Sequence, residues 1–248
     1  MRSRWIKHDS LTSTSNFLSD LLKHQKLEEG AVVIADYQDA GRGQGEHSWQ
    51  SNRGENLLMS LLLYPAFLSA SRQFHLSRVA SLALCDALET LGIDAVIKWP
   101  NDILAARGKI AGILIEHSIT AVNISRTIVG IGLNLNQTVF PSFPIAASSV
   151  RLETGKDVDV TGVGELVEDC LMSRYNALKA DQTEQLEKDY LERLYMAGLP
   201  TVFKAGKESF EGCIRGVNDY GELMVEHKGK IRTFGHGAIS MKLQSDKA

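Results

Sequence analysis

The chain has few cysteines, and their spacing predicts neither a disulfide framework nor a metal site. Its 248 residues contain three, Cys85, Cys170 and Cys213, which lie far apart and form no Cys-x-x-Cys pair. An odd number of widely separated cysteines argues against a disulfide-stapled fold and against a structural zinc site. We therefore expect a protein of the reducing cytoplasm.

Long hydrophobic runs are also missing. The longest apolar stretch, residues 57–68, is interrupted by Ser60 and Pro65 and is too short to cross a bilayer. The charged start, residues 1–9, is not followed by the unbroken apolar segment of a signal peptide. We predict that the chain does not span a membrane.

Neither sign of charge is in large excess. The 27 Lys and Arg residues stand against 30 Asp and Glu residues, which gives a formal net charge of -3. This balance offers no global electrostatic reason to bind nucleic acid or an anionic membrane, so phosphate chemistry would have to rest on a local group of cations. The 44% hydrophobic and 23% charged residues are typical of a globular protein.

The chain changes character once, near Gly198. Before this residue, patterns typical of strands and helices alternate, and the segments at 110–116 and 124–133 have the composition of neighbouring central strands. Further strands are predicted at 31–34 and 57–64, and helices at 17–22, 76–91, 163–178 and 184–195. Gly198 and Pro200 are expected to stop the last helix. We place a first domain at residues 1–197.

After residue 198 the pattern consists of short alternating strands. They are predicted at 201–204, 209–217, 222–226, 230–234 and 238–243, with turn-forming residues between them. About five strands in so short a tail predict a small closed barrel of the SH3 type, because closure removes exposed strand edges. We assign residues 198–248 to this second domain.

A glycine-rich loop at residues 38–49 is the first segment that suggests chemistry. Its alternate glycines free the backbone amides to form an anion-binding nest, and Arg42 can offer a two-pronged guanidinium to phosphate or carboxylate. A flexible surface turn is the alternative. The loop is not a dinucleotide fingerprint, because Glu46 stands where the third glycine should be, and Ile110 after Gly108-Lys109 excludes a Walker loop.

A second such segment is the turn at residues 97–103, which carries Lys98 beside Trp99 and Pro100. A lysine on a rigid turn at the end of a strand is well placed to aim a cation into a pocket. A packed corner with Lys98 directed outward explains the same residues equally well.

The third segment is residues 129–136, which places Gly130 and Gly132 within a predicted strand. Strand glycines mark either the close approach of a ligand or a bulge, and this segment alone favours a bulge. Asn134 follows and offers both a donor and an acceptor to a purine edge.

Taken together and in order, these segments closely resemble the biotin protein ligases. The resemblance runs through essentially the whole chain, and the ordered set is highly specific although each motif is modest alone. The segments are Ser13-Thr14-Ser15-Asn16, Gly41-Arg42-Gly43-Gln44, Lys98-Trp99-Pro100-Asn101-Asp102, residues 109–116, Gly130-Ile131-Gly132-Leu133-Asn134 and Ala147-Ser148-Ser149-Val150.

The resemblance implies an α+β fold, in which a mixed sheet packed with helices forms a class II synthetase-like biotin/lipoate ligase catalytic domain followed by the SH3-like barrel. It implies an enzyme that makes biotinyl-5′-AMP from biotin and ATP, and then transfers biotin to a lysine of a biotin carboxyl carrier domain. About a dozen residues precede Ser13, too few for the helix-turn-helix domain of the members that also repress transcription. We expect a monofunctional ligase without specific DNA binding.

The resemblance also assigns roles to residues. Arg42 and Lys98 are expected to be catalytic, and Mg²⁺ to bridge the triphosphate oxygens, with no metal-ligating residue predicted in the chain. Residues expected to bind biotin are Ser13, Thr14, Gln38, Gly41, Arg42, Gln44, Trp49, Lys98 and Gly112. Residues expected to bind the nucleotide are Arg42, Lys98, Asn101, Lys109 and Asn134.

Several alternatives stay open. A lipoate ligase or octanoyl transferase shares the fold, although the motifs around Arg42 and Lys98 favour biotin. A non-catalytic biotin sensor predicts the loss of charged catalytic positions, which are present here. His47 is expected to face solvent, the base that deprotonates the acceptor lysine is not identified, and a homodimer is left open.

Overall fold

The computed structural model describes residues 5–45 and 47–241, and its larger part is built on a sheet of seven strands. The strand order is β1-β2-β3-β7-β6-β5-β4, and only the β1–β2 pair is parallel. The strands are β1 (Trp5–His8), β2 (Val32–Ala35), β3 (Leu57–Leu63), β4 (Val96–Lys98), β5 (Asp102–Ala105), β6 (Gly108–Thr120) and β7 (Asn123–Leu133).

The two strands predicted to be central neighbours are confirmed. β7 lies in the middle of the order and pairs with β6 from Leu133 back to Asn123. Its other partner is β3, whose seven residues are all buried. β1 and β5 were not predicted, because each has only four residues and, unlike the wholly apolar β2, includes a charged residue.

Helices cover the sheet. They are α1 (Thr14–His24), α2 (Phe74–Thr90), α3 (Val150–Thr154), α4 (Val160–Lys179) and α5 (Thr183–Glu192), with a short 3-10 turn at Ala70–Arg72. The largest core cluster includes side chains from α2, α4 and the sheet, while Leu18 of α1 belongs to a smaller cluster with Val33 and Leu62. Of the helices in the described ranges, none is both long and apolar enough to cross a membrane.

The prediction that the last helix continues to Tyr195 and stops at Gly198 is wrong. α5 ends at Glu192 because the chain then pairs with the edge strand β4. The Ile97 amide donates to the Arg193 carbonyl at 2.7 Å, and the Tyr195 amide donates to the Ile97 carbonyl at 2.8 Å. These backbone bonds compete with the helical ones at this point.

A second, five-stranded antiparallel sheet follows, with the order β11-β10-β9-β8-β12. Its strands are β8 (Pro200–Ala205), β9 (Glu208–Val217), β10 (Leu223–His227), β11 (Lys230–Phe234) and β12 (Ser240–Met241). They match the five predicted strands, except that Leu243 lies outside the described residues. The sheet is consistent with an SH3-like module, while its closure and the domain boundary at residue 198 stay predictions.

Candidate active site

One cavity of about 490 Å³ brings the predicted site residues together. It opens beside the glycine-rich loop, at the ends of β4 and β7. Its lining includes Ser13, Thr14, Gln38, Arg42, Gln44, Trp49, Lys98, Asn101, Lys109, Gly112 and Asn134. Gly41 instead lines a neighbouring cavity of about 450 Å³, which is formed by the loop and Leu114. A side chain at Gly41 would collide with the Trp49 carbonyl, so its contribution is the shape of the backbone.

The polar end of the cavity is the start of α1. Ser13 is the N-cap residue of this helix, and the Thr14 amide donates to Gln38 Oε1 at 2.7 Å. The Thr14 and Ser15 hydroxyls both lie within hydrogen-bond distance of Ser60 Oγ, at 2.8 and 2.9 Å. The hydroxyls and the amide side chain are therefore fixed before any ligand binds. Ser15 and Ser60 were not predicted as site residues.

Trp49 forms an apolar wall against two glycines. Its Cζ3 atom would lie 3.0 Å from a Cβ added at Gly112, and its ring occupies the space of a Cβ at Gly132. The indole Nε1 is buried and has no hydrogen-bond partner among the described residues. The indole can therefore lie against the sheet only because these two positions have no side chain.

The bulge favoured at residues 129–132 is wrong. Gly130 pairs with Ser60 and Leu114 in unbroken register, and Gly132 continues that register on both sides. A Cβ at Gly130 would lie 2.7 Å from Ser15 Oγ. The glycines instead allow the close approach of side chains that line the cavity.

A cationic corner is formed by Lys98 and Lys109 around one carboxylate. Lys98 Nζ lies 3.2 Å from Asp102 Oδ2, and Lys109 Nζ lies 2.5 Å from Asp102 Oδ1. Asp102 begins β5 directly opposite Lys98, after a turn that contains the cis Trp99-Pro100 bond. Lys98 therefore lines the cavity and does not point outward. Asp102 was missed as a site residue, although its position four residues after Lys98 was visible in the sequence.

Arg42 lines the same cavity from the glycine-rich loop. Its guanidinium pairs with Glu116 on β6, and both side chains are more than one-third exposed. The loop around Arg42 is closed by a backbone bridge to Ser48 and by the Gly43 amide, which donates to the His47 carbonyl at 2.7 Å. His47 is exposed at the cavity mouth.

The two asparagines of the predicted nucleotide site differ. Asn134 is 4% exposed and its Nδ2 donates to the Ser148 carbonyl at 2.9 Å. Its Oδ1 is buried without a hydrogen-bond partner among the described residues, so it can serve a ligand as an acceptor only. Asn101 Nδ2 donates to the Ile113 carbonyl, and this bond holds the turn after Lys98.

Two parts of the lining were not predicted. The segment after β7 contributes Phe140, Phe143, Pro144 and Ile145. The apolar character of these residues was the one feature of the sequence that could have indicated a place in the cavity lining. The second sheet contributes His236 from the turn before β12, and its ring centroid lies 6.2 Å from that of Trp99. A contact between residues so distant in sequence leaves no local pattern.

The described residues contain one group of side chains of the metal-ligand type, His75, Glu187 and Asp219, which lies outside this cavity. Arg78 Nη1 donates to His75 Nδ1 at 3.0 Å, so the other ring nitrogen of the neutral imidazole carries the proton. Arg78 also lies 3.3 Å from Glu187 and 3.8 Å from Asp219. The carboxylates already face a cation, and the imidazole has no free lone pair, so the group does not suit a metal ion.

Comparison with known proteins assigns the chain to a protein family. The sequence profile of the Biotin/lipoate A/B protein ligase family matches residues 7–134. The chain belongs to this family. Among curated relatives of this ligase chain, the bifunctional ligase/repressor BirA of Bacillus subtilis is 32% identical over 238 residues, which cover 94% of this chain and 72% of the relative.

Other members of the ligase family extend the likeness. The biotin--[acetyl-CoA-carboxylase] ligase of Paracoccus denitrificans is 33% identical over 206 residues, which cover 80% of this chain and 85% of the relative. The solved structure of biotin protein ligase from Aquifex aeolicus in complex with biotin and ATP is similar with a TM-score of 0.80 and 26% identity, covering 97% of this chain and 99% of the other. The predicted family and fold class are thus confirmed.

Proposed function

We propose that this chain is an ATP-dependent biotin protein ligase, which forms biotinyl-5′-AMP and transfers biotin to a specific lysine of a biotin carboxyl carrier domain. The observation that carries the proposal is the single cavity onto which Arg42, Lys98 and Lys109 all open. At the start of α1 the same cavity has fixed hydroxyls, and Trp49 gives it an apolar wall. Cations, an apolar slot and a polar end suit an acyl chain activated by a nucleotide.

In the first step a carboxylate oxygen of biotin attacks the α-phosphorus of ATP. The new P–O bond forms as the bond to the bridging oxygen breaks, and pyrophosphate leaves. The protein must bring two anions together and stabilise the charge that develops on the phosphoryl oxygens. Lys98 and Lys109 provide adjacent ammonium groups for this purpose, and Arg42 provides a guanidinium from the glycine-rich loop.

The wall of Trp49 would hold the bicyclic part of biotin. This ring system is apolar apart from its ureido head, which needs a donor and acceptor set of fixed geometry. Ser13, Thr14 and Gln38 offer that set at the start of α1. Gln44 lines the same cavity, and its Oε1 has no hydrogen-bond partner among the described residues, so it can accept a hydrogen bond.

Asn134 would bind the adenine through its unpartnered Oδ1, which accepts a hydrogen bond from the exocyclic amine. Its Nδ2 is committed to Ser148, so this residue recognises the base with one contact and not two. Asn101 contributes by holding the turn after Lys98, because its amide is committed to the Ile113 carbonyl.

Magnesium would enter with the nucleotide. Among the described residues that line the cavity, the only carboxylate is Asp102, and each of its oxygens faces a lysine. Proteins normally hold Mg²⁺ through one or two carboxylates together with substrate phosphates. The side chains here do not fit a protein-held Mg²⁺ site, and MgATP is therefore the proposed form of the substrate.

In the second step the uncharged amine of the acceptor lysine attacks the acyl carbon, the bond to the phosphate oxygen breaks, and AMP leaves. Arg42 and the glycine-rich loop would cover the mixed anhydride until the carrier domain arrives, so that water does not hydrolyse it. A cytoplasmic location and the absence of specific DNA binding remain part of the proposal, while the choice between a monomer and a homodimer is left open.

The test is the exchange of labelled pyrophosphate into ATP. With the purified chain and MgATP, biotin should support exchange and lipoate or octanoate should not. Pyrophosphate exchange with lipoate and not with biotin would favour a lipoate ligase of the same family. Binding of biotin without pyrophosphate exchange, and without transfer of biotin to a carrier domain, would show that the chain is a biotin sensor and not a ligase.

A further inference from the structure

The β9–β10 turn of the second sheet, residues 218–221, is wedged between helix α2 and the turn that carries Lys98. A Cβ added at Gly221 would lie 2.8 Å from Phe74 of α2. On its other side the Gly221 carbonyl accepts a hydrogen bond from Trp99 Nε1 at 2.9 Å. Gly221 has a φ of 84°, so a side chain there would strain the backbone as well.

Arg78 of α2 anchors this turn from inside the protein. It is 3% exposed, and its Nη2 donates to the Val217 carbonyl at 2.6 Å, at the end of β9. Its Nη1 donates to His75 and lies 3.8 Å from Asp219 within the turn. A buried arginine with this many acceptors is a strong link, because a lost partner would leave a desolvated charge.

Hydrogen bonds within the turn also fix its conformation. The Asn218 amide donates to the Glu222 carbonyl at 3.0 Å, and Asn218 Oδ1 accepts from the Tyr220 and Glu222 amides at 3.1 and 2.9 Å. A constraint applied at Val217 and Asp219 is therefore passed on to the Gly221 carbonyl. That carbonyl faces the residue next to Lys98.

The Lys98 turn is thus held from two sides. On one side the Ile97 backbone pairs with the segment after α5, as described above. On the other side Trp99 is held by the Gly221 carbonyl, and His236 lies against its ring. Both of these contacts come from turns of the second sheet.

We propose that Arg78 and Trp99 are positioning residues for Lys98: Arg78 seats the 218–221 turn on α2, and the seated turn fixes Trp99 and hence the catalytic ammonium. The second sheet is then a working part of the active site. The inference rests on the proposed function, because it assigns these residues to the step in which Lys98 faces the transferring phosphoryl group.

The kinetic test is a double-mutant cycle with Arg78→Met and Trp99→Phe, measured by biotin-dependent pyrophosphate exchange. Because a displacement of about 1 Å at a reacting group can reduce a rate by about 100-fold, we expect each variant to lower kcat by about 10-fold or more, with the KM of biotin changed by less. The two residues act through one turn, so the kcat of the double variant should be no lower than that of the less active single variant. Independent, multiplicative losses would overturn the proposal.

Arg174→Met is the matched control. Arg174 also ties helices together through carboxylates, binding Asp86 of α2 at 2.7 Å and pairing with Asp189 of α5, yet none of its described contacts reaches the second sheet. We expect this variant to lower the melting temperature and leave kcat within about two-fold of the parent, as for a purely structural site. If Arg174→Met lowers kcat as much as Arg78→Met does at equal folded fraction, the effect of Arg78 is not specific.

Hydrogen exchange separates this inference from the proposed function. In the chain without ligands, Arg78→Met should speed amide exchange in residues 96–104, whereas Arg174→Met should not. Gly221→Ala is a second variant with the same expectation, should Arg78→Met fail to fold. Unchanged exchange in this segment would overturn the positioning role. A parent chain without pyrophosphate exchange but with the expected protection changes would overturn only the proposed function.

Discussion

The two walls of the cavity hold their cations differently. On the wall of the Trp99-Pro100 turn, the Lys98 and Asp102 side chains are 18% and 13% exposed. On the wall of the glycine-rich loop, the Arg42 and Glu116 side chains are 37% and 39% exposed. The first pair is shielded from water and supported by neighbouring elements, while the second is open to solvent.

This difference has an energetic meaning. An ion pair that is exposed contributes about 0–1 kcal/mol, and solvent and salt readily replace it. A shielded pair resists rearrangement, since separating it leaves charges in a medium of low polarity. We infer that the Lys98 wall is set before substrates bind, whereas the Arg42 wall can exchange Glu116 for a ligand anion.

The largest expected effect is that of Lys98→Met. The loss of a preorganised cation at the transferring phosphoryl group should lower kcat for pyrophosphate exchange by about 100- to 1,000-fold. Lys23→Met, at an exposed lysine that does not line the cavity, is the control and should retain full activity. A loss of less than about ten-fold for Lys98→Met would mean that this wall is not the catalytic one.

Mild acid should loosen the anchor of the shielded wall. The pKa of His75 is lowered from 6.5 to about 4, mainly by burial and also by the charges of Arg78 and Arg72, against the opposing effect of Asp219. The unfolded chain therefore binds a proton that the folded chain does not, and stability falls as the pH drops from 6.5 towards 4. Between pH 7 and pH 5 this residue alone should cost about 2 kcal/mol of unfolding free energy.

Urea unfolding at the two pH values measures this effect, and His75→Asn is the matched variant. Asparagine does not titrate, and its oxygen can accept from Arg78 in place of Nδ1. The parent should lose more stability than the variant by about 2 kcal/mol over this range. Equal losses would show that the carboxylates, and not His75, control the acid sensitivity.

A smaller effect is expected from the open wall. Arg42→Ala should leave the fold intact and raise the dissociation rate of biotinyl-5′-AMP by about ten-fold, because one charged contact is worth about 1.5–3 kcal/mol at most. Released adenylate would then label lysines of unrelated proteins. Rapid-filtration measurement of adenylate release, with added serum albumin as a bystander, tests both outcomes. Unchanged release would exclude Arg42 as the residue that retains the intermediate.

The smallest effect is expected from Glu116→Gln, which removes the partner of Arg42. The unfolding free energy should change by less than about 1 kcal/mol, as for other exposed ion pairs. The exchange rate should stay within about three-fold of the parent, and the affinity for adenylate should rise slightly because a competing carboxylate is gone. A large loss of activity would contradict the view that the two walls differ.

Where the candidate residues form local motifs, the sequence analysis selected residues that line one cavity. Arg42, Lys98, Lys109 and Asn134 were each found beside glycine or proline punctuation, and all of them line the same cavity. The long buried strands and helices were also found, since their periodicity is strong over many residues.

What the sequence could not predict depends on contacts between distant segments. The end of α5 is decided by backbone pairing with Ile97, almost one hundred residues earlier. His236 enters the cavity only because the second sheet is seated beside Trp99. Asp102 stood within a recognised motif, but its position between two lysines required the β5–β6 register.

The glycines beneath Trp49 have a consequence for how this protein can change. The indole of Trp49 lies against Gly112 and Gly132, which face each other on neighbouring strands and have no side chains. Adding a methyl at either position would displace the indole and narrow the space for the acid. In the proposed ligase, the width of the acid-binding slot thus depends on two sequence positions, and a larger residue at either one should favour a smaller acid.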